Sequence, residues 1–128
     1  MNTIIICLLI AVLLPYAVRM IVAYHMGKEG QYDNNLPRAQ QSRLTGIGAR
    51  AVAAHQNGFE SLLVFATAAL TALTTQHVGT TIQYLAITYI VSRIVYNVLY
   101  LLDKASLRSV IWLIGFACSL IILVLCLY

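Results

Sequence analysis

From Thr3 to Met26 the chain carries a single charged side chain, Arg19, and from Ser61 to Ser92 it carries no Asp, Glu, Lys or Arg at all. Apolar runs of this length match the ~20 residues that a helix needs to cross a bilayer. Charged residues make up 9% of the 128 positions and hydrophobic ones 61%, whereas a soluble domain carries roughly 25% charged residues to cover its surface. Lipid is therefore the solvent, and the length allows about four spans. The net charge of +4 lies at the ends of apolar segments instead of in a basic cluster, which marks membrane edges and argues against nucleic acid as a partner. Cys7, Cys118 and Cys126 sit inside apolar runs and read as small hydrophobes, not as a disulfide framework.

The expected architecture is all-α: four membrane spans at about 3–26, 49–76, 80–102 and 107–128, forming one membrane domain over 1–128 and packed as an antiparallel bundle. The first span lacks the basic start and small-residue cleavage pattern of a removed signal peptide and is kept as structure. Pro15 is expected to bend it mildly. Gly27 to Gly48 is polar and turn-rich and reads as the longest loop. Thr74-Thr75-Gln76-His77-Val78-Gly79-Thr80-Thr81 separates the second and third spans, and Asp103-Lys104-Ala105-Ser106 the third and fourth. Lys28, Arg38 and Arg43 lie in the first loop, Lys104 and Arg108 around the third, and none in the second. The positive-inside rule then places loops one and three in the cytoplasm and both termini on the opposite side. The absence of an organelle-targeting signal puts a bacterial inner membrane ahead of the endoplasmic reticulum.

The second span is the anomaly. Its purely apolar part, Ser61 to Thr75, is too short to cross ~30 Å of hydrocarbon, so it must extend back through the Ala-rich stretch that holds Arg50, His55, Gln56, Asn57 and Glu60. At 100° per residue Arg50 and Asn57 share an angle, Glu60 lies one turn further along the same side, and His55 points elsewhere. In the third span Tyr89, Arg93, Tyr96 and Tyr100 share a face, and Asn97 borders it. An isolated ionisable group in a membrane costs ~2.5–3.5 kcal/mol, so several on two helices need mutual pairing or a ligand. Two readings stand level. One is an Arg50–Glu60 or Glu60–Arg93 ion pair that fixes packing, with tyrosines as interface anchors. The other is a site for a small zwitterionic or polyanionic ligand entering from the cytoplasmic side.

The run Arg50-Ala51-x-x-Ala54-His55-x-Asn57-x-x-Glu60, then Arg93-x-x-Tyr96-x-x-x-Tyr100 and Leu107-Arg108-Ser109, resembles the MAPEG family, membrane-associated proteins in eicosanoid and glutathione metabolism. The resemblance covers nearly the whole chain. It implies a homotrimer of four-helix subunits that binds glutathione as co-substrate at three subunit interfaces, without a metal. The second substrate would be a lipophilic small molecule arriving from the membrane lipids. Under the resemblance Asn57 and Glu60 match the glutathione-contacting pair, with Glu60 meeting the amino group. His55, Arg93, Tyr96 and Tyr100 match positions near the tripeptide, and Arg19 a helix-one arginine near the ligand. Arg108 matches the arginine credited with stabilising the glutathione thiolate, and Ser109 a serine proposed to assist. Two positions depart from the pattern. Ala53 stands where eicosanoid members usually carry an arginine, and Leu63 where many carry proline. Arg50 is the candidate replacement for the missing cation.

The implied activity is a glutathione-dependent transferase or peroxidase acting on lipophilic electrophiles. A thiol with an ordinary pKa of about 8.5 is mostly protonated at neutral pH, and a nearby guanidinium favours the thiolate. The alternative is a non-catalytic binding protein of the same family. A third reading is a small proton-coupled exporter titrating at Glu60, but such exporters place their carboxylate on the first span, which here has no acid. His25, His55 and His77 lack metal-ligand spacing. Gly46-Ile47-Gly48 is no dinucleotide fingerprint, and no serine has a nearby His–acid pair.

Overall fold

The computed structural model describes residues 1–128. It is all-helical, in the order α1 (Asn2–Lys28), α2 (Pro37–Arg43), α3 (Gly46–Thr74), α4 (Thr80–Leu101) and α5 (Ala105–Leu125). Four of these, α1, α3, α4 and α5, are long and apolar enough to cross a membrane. At ~1.5 Å per residue the 21 residues of α5 already reach about 31 Å, the thickness of the hydrocarbon layer. The second span starts at Gly46, so Arg50, His55, Asn57 and Glu60 lie on one continuous helix with the apolar stretch that follows them. α1 runs unbroken through Pro15.

One element departs from expectation. The first connection, read as a turn-rich loop, contains the seven-residue helix α2. Pro37 stands at its start, where a missing N–H does no harm. Gln40 fixes it in place: its Nε2 donates to the carbonyls of Met26 at 3.1 Å and Gln31 at 3.3 Å, and its Oε1 accepts from the Asp33 N–H at 2.8 Å. Asp33 in turn accepts from the N–H groups of Asn35 and Leu36, shaping the entry turn.

The long helices meet along narrow seams of small side chains. On α1 the buried residues are Ile4, Cys7, Ala11, Pro15, Val18, Val22 and Met26, each three or four positions after the last. That is one helical face, and Ile5, Ile6, Leu9, Leu13 and Met20 are exposed away from it. α3 presents Phe65, Ala68, Ala69 and Ala72 to the same core, which Ile82, Ala86 and Tyr89 of α4 and Cys118 and Ile122 of α5 complete. In lipid the association of helices rests on close packing more than on expelled water, which is why the seams are rich in alanine. Polar residues off the seam are satisfied within their own helix: Thr67, Thr71 and Thr74 each donate to the carbonyl four residues earlier, at 2.8 to 2.9 Å.

α1 and α3 approach closely where a Cβ built on Gly58 would stand 3.1 Å from Cγ of Pro15, part of a rigid ring. Gly58→Leu is therefore expected to destabilise the bundle by about 1–3 kcal/mol. Gly79→Ala, whose added Cβ would meet nothing within 4 Å, is the matched control. Thermal unfolding in detergent should show a lower midpoint for the first and an unchanged one for the second. Equal midpoints would mean that α1 and α3 do not meet at Pro15.

Candidate functional site

α3, α4 and α5 together carry one unbroken string of polar contacts. Glu60 Oε2 accepts from Asn57 Nδ2 at 3.3 Å, and Asn57 Oδ1 accepts from Arg93 Nη2 at 2.9 Å. The Arg93 guanidinium lies 4.2 Å from the centroid of the Tyr96 ring. Tyr96 and Tyr100 meet edge to face at 5.6 Å, and Arg108 caps the line 4.0 Å over the Tyr100 ring. Helical spacing explains the assembly: Asn57 and Glu60 are three apart on α3, while Arg93, Tyr96 and Tyr100 are three and four apart on α4. The start of α5 brings Arg108 alongside because the α4–α5 connection is only a tight turn. There Asp103 takes φ 60° and the Lys104 N–H closes on the Leu99 carbonyl at 2.9 Å.

The charges along this string do not cancel. Arg93 and Arg108 face a single acid, Glu60, and Asn57 stands between Glu60 and Arg93. Neither the Arg50–Glu60 nor the Glu60–Arg93 ion pair forms, and the one acid–base contact within 4.0 Å is Arg50 with Asp103. Arg93 is 4% exposed, whereas Glu60 is exposed at the mouth of the string. A buried guanidinium without a carboxylate partner is a strong attractor for an anionic group.

A cavity of about 120 Å³ opens beside Glu60 and Asn57, with Ser61 on the same wall and Trp112 and Phe116 on the other. The two aromatic rings stack at 5.1 Å, nearly parallel. Ser61 shares a 2.9 Å hydrogen bond with the hydroxyl of Tyr89, whose ring stacks on Phe65 at 3.9 Å. Sequence reasoning missed Ser61, Trp112 and Phe116 as wall residues. The four-residue spacing of Trp112 and Phe116 from Arg108 was the available signal.

The remaining candidates lie elsewhere. Arg50 leaves the string: its Nε donates to the Leu101 carbonyl at 3.2 Å and its Nη1 stands 4.0 Å from Asp103, so it ties α3 to the end of α4. Ser109 is exposed and donates to the Ala105 carbonyl at 3.1 Å. His55 and Arg19 line a second cavity, about 340 Å³, together with Arg38, Gln41 and Gln56. Arg19 donates to the Tyr32 hydroxyl at 3.0 Å, and the Gln41 amide oxygen accepts from its guanidinium. His55 Nδ1 lies 2.7 Å from the Pro15 carbonyl. A carbonyl only accepts, so Nδ1 carries the hydrogen and the other ring nitrogen of neutral His55 is an acceptor. The two cavities occupy roughly opposite sides of α3, since His55 and Phe59 point about half a turn away from Asn57 and Ser61.

Four helices able to cross a membrane, with a cationic, tyrosine-lined polar string running from the middle of α3 and α4 to the start of α5, describe a membrane protein. The family model of the MAPEG family matches residues 3–128, and the chain belongs to that family. A search of curated proteins and one of solved structures each returned no significant match.

Proposed function

We propose that the protein is a glutathione-dependent transferase or peroxidase acting on lipophilic electrophiles, and that the Glu60–Asn57–Arg93–Tyr96–Tyr100–Arg108 string is its glutathione site. The observation that carries this reading is the charge sequence of the string. Glutathione carries one ammonium and two carboxylates, and its thiolate adds a further negative charge. An exposed carboxylate at one end, Glu60, suits the ammonium, and the two guanidiniums further along suit anionic groups. Arg108 then lies where it favours the thiolate over the thiol, and the thiolate attacks an electrophile held against the Trp112 and Phe116 wall.

The second cavity supplies the rest of the reading. Arg19, Arg38 and His55 line a cavity on roughly the opposite side of α3 from the string. In a homotrimer of antiparallel four-helix bundles, the cavity of one subunit faces the string of the next, and its arginines meet a carboxylate of the same glutathione. Loops one and three, with Lys28, Arg38, Arg43 and Lys104, face the cytoplasm of a bacterial cell, and the site opens to that side. The electrophile enters from the membrane lipids.

One observation favours the non-catalytic member as the second reading. Ala53 offers no cation, and Arg50 is turned to Leu101 and Asp103, so α3 brings no guanidinium to the string. Calorimetry on purified, detergent-solubilised protein separates the possibilities. Saturable glutathione binding, weakened at least about tenfold in Glu60→Ala, supports the proposed site. Absence of heat at millimolar glutathione removes it, and binding without turnover on any electrophile selects the second reading.

A further inference from the structure

The polar string is supported from behind by a site of its own. Asn97 is 9% exposed, and its Oδ1 is a buried side-chain oxygen with no hydrogen-bond partner. It lines a recess of about 10 Å³ formed also by Ala11 and Pro15 of α1, Gly58 of α3 and Tyr89 and Arg93 of α4. Unsatisfied buried oxygens are rare enough to require an explanation, and this recess contains the means of one. Pro15 has no N–H, so the Ala11 carbonyl lacks the bond that an ordinary residue at position 15 would give it. Only one of the five N–H groups of Arg93 is committed, to Asn57.

We infer that the recess binds one ordered water, which donates to Asn97 Oδ1 and to the Ala11 carbonyl and accepts from the Arg93 guanidinium. The dimensions and the chemistry agree. Roughly 10–15 Å³ of this kind of space is what one water requires, and a buried water needs two to four polar partners. A cation is excluded by the adjacent guanidinium, and two facing oxygens disfavour an anion. Gly58 keeps the recess open, since a side chain there would press on Pro15. The water anchors Arg93 from the α1 side while Asn57 holds it from α3. Asn97 is thus a positioning residue, acting through water on a guanidinium of the proposed glutathione site. The functional half of the inference rests on that reading, and the water itself does not.

A high-resolution structure of the wild-type protein tests the water directly: a density peak within hydrogen-bond distance of Asn97 Oδ1 is expected. An empty recess would overturn the inference, and so would a peak that gives a bromide signal after chloride is exchanged for bromide. Glutathione titration tests the positioning role. Asn97→Leu, which removes both the orphaned oxygen and the water, is expected to weaken binding about tenfold with a thermal midpoint equal to or above wild type. Asn97→Ser, which leaves a hydroxyl and room for the water, is expected to keep the affinity within about threefold. Equal affinity in wild type and Asn97→Leu would overturn the positioning role. Lack of glutathione binding by the wild type would overturn that role together with the proposed function, while the density peak would still report on the water.

Discussion

Arg108→Ala is expected to lower glutathione conjugation at pH 7 by about ten- to thirtyfold while leaving the bundle folded. The reasoning starts from the free thiol, which at an ordinary pKa of about 8.5 is only about 3% ionised at pH 7. A guanidinium within a few ångströms lowers such a pKa by about one to three units, and Arg108 cannot lose its own proton in return. The side chain holds no tertiary hydrogen bond and rests on the Tyr100 ring, so its loss costs the fold little. The pH profile separates this role from damage. Because the variant's thiol ionises only near its ordinary pKa, its deficit should shrink steadily as pH rises through about 8.5. A deficit that stays constant with pH would assign Arg108 to binding or packing instead.

The second large effect belongs to Arg93. Arg93→Met keeps an unbranched apolar stem of similar bulk and removes a guanidinium that is 4% exposed and has no carboxylate partner. Replacing a poorly compensated buried charge by an apolar side chain is often neutral or stabilising. Asn57 Oδ1 then loses its donor, which offsets part of that gain. The expected result is a thermal midpoint within a few degrees of wild type alongside glutathione binding weakened by about ten- to a hundredfold, the worth of a hydrogen bond to a charged group. A large fall in the midpoint with unchanged affinity would make Arg93 a packing residue and return the string to the structural reading.

Much of this was legible in the sequence because a membrane leaves few choices. Long runs without charge fixed four spanning helices, and the shortness of the apolar part of the second span forced Arg50, His55, Asn57 and Glu60 onto that helix, as the structure has them. Helical periodicity likewise put Arg93, Tyr96 and Tyr100 on one face, which the cation–π and edge-to-face contacts reproduce. What periodicity does not encode is the partner across the gap. Arg50 shares an angle with Asn57, but its partners are the Leu101 carbonyl and Asp103, brought close by the turn after α4. α2 was invisible for the same reason: seven residues carry a weak propensity signal, and Gln40 bonds to Met26 and Gln31 from a distance along the chain. Trp112 and Phe116 passed as ordinary apolar residues of the fourth span: their spacing of four and eight residues from Arg108 puts the three on one face, but which neighbour that face meets is set by packing.

The proposed function turns on the binding of glutathione as a thiolate. It is tested most directly by ultraviolet difference absorbance during titration of the purified protein with glutathione at pH 7. A thiolate band is expected that grows to saturation with the sites filled, is absent with S-methylglutathione and is lost in Arg108→Ala. Saturable binding of glutathione with no thiolate band in the wild type would contradict it.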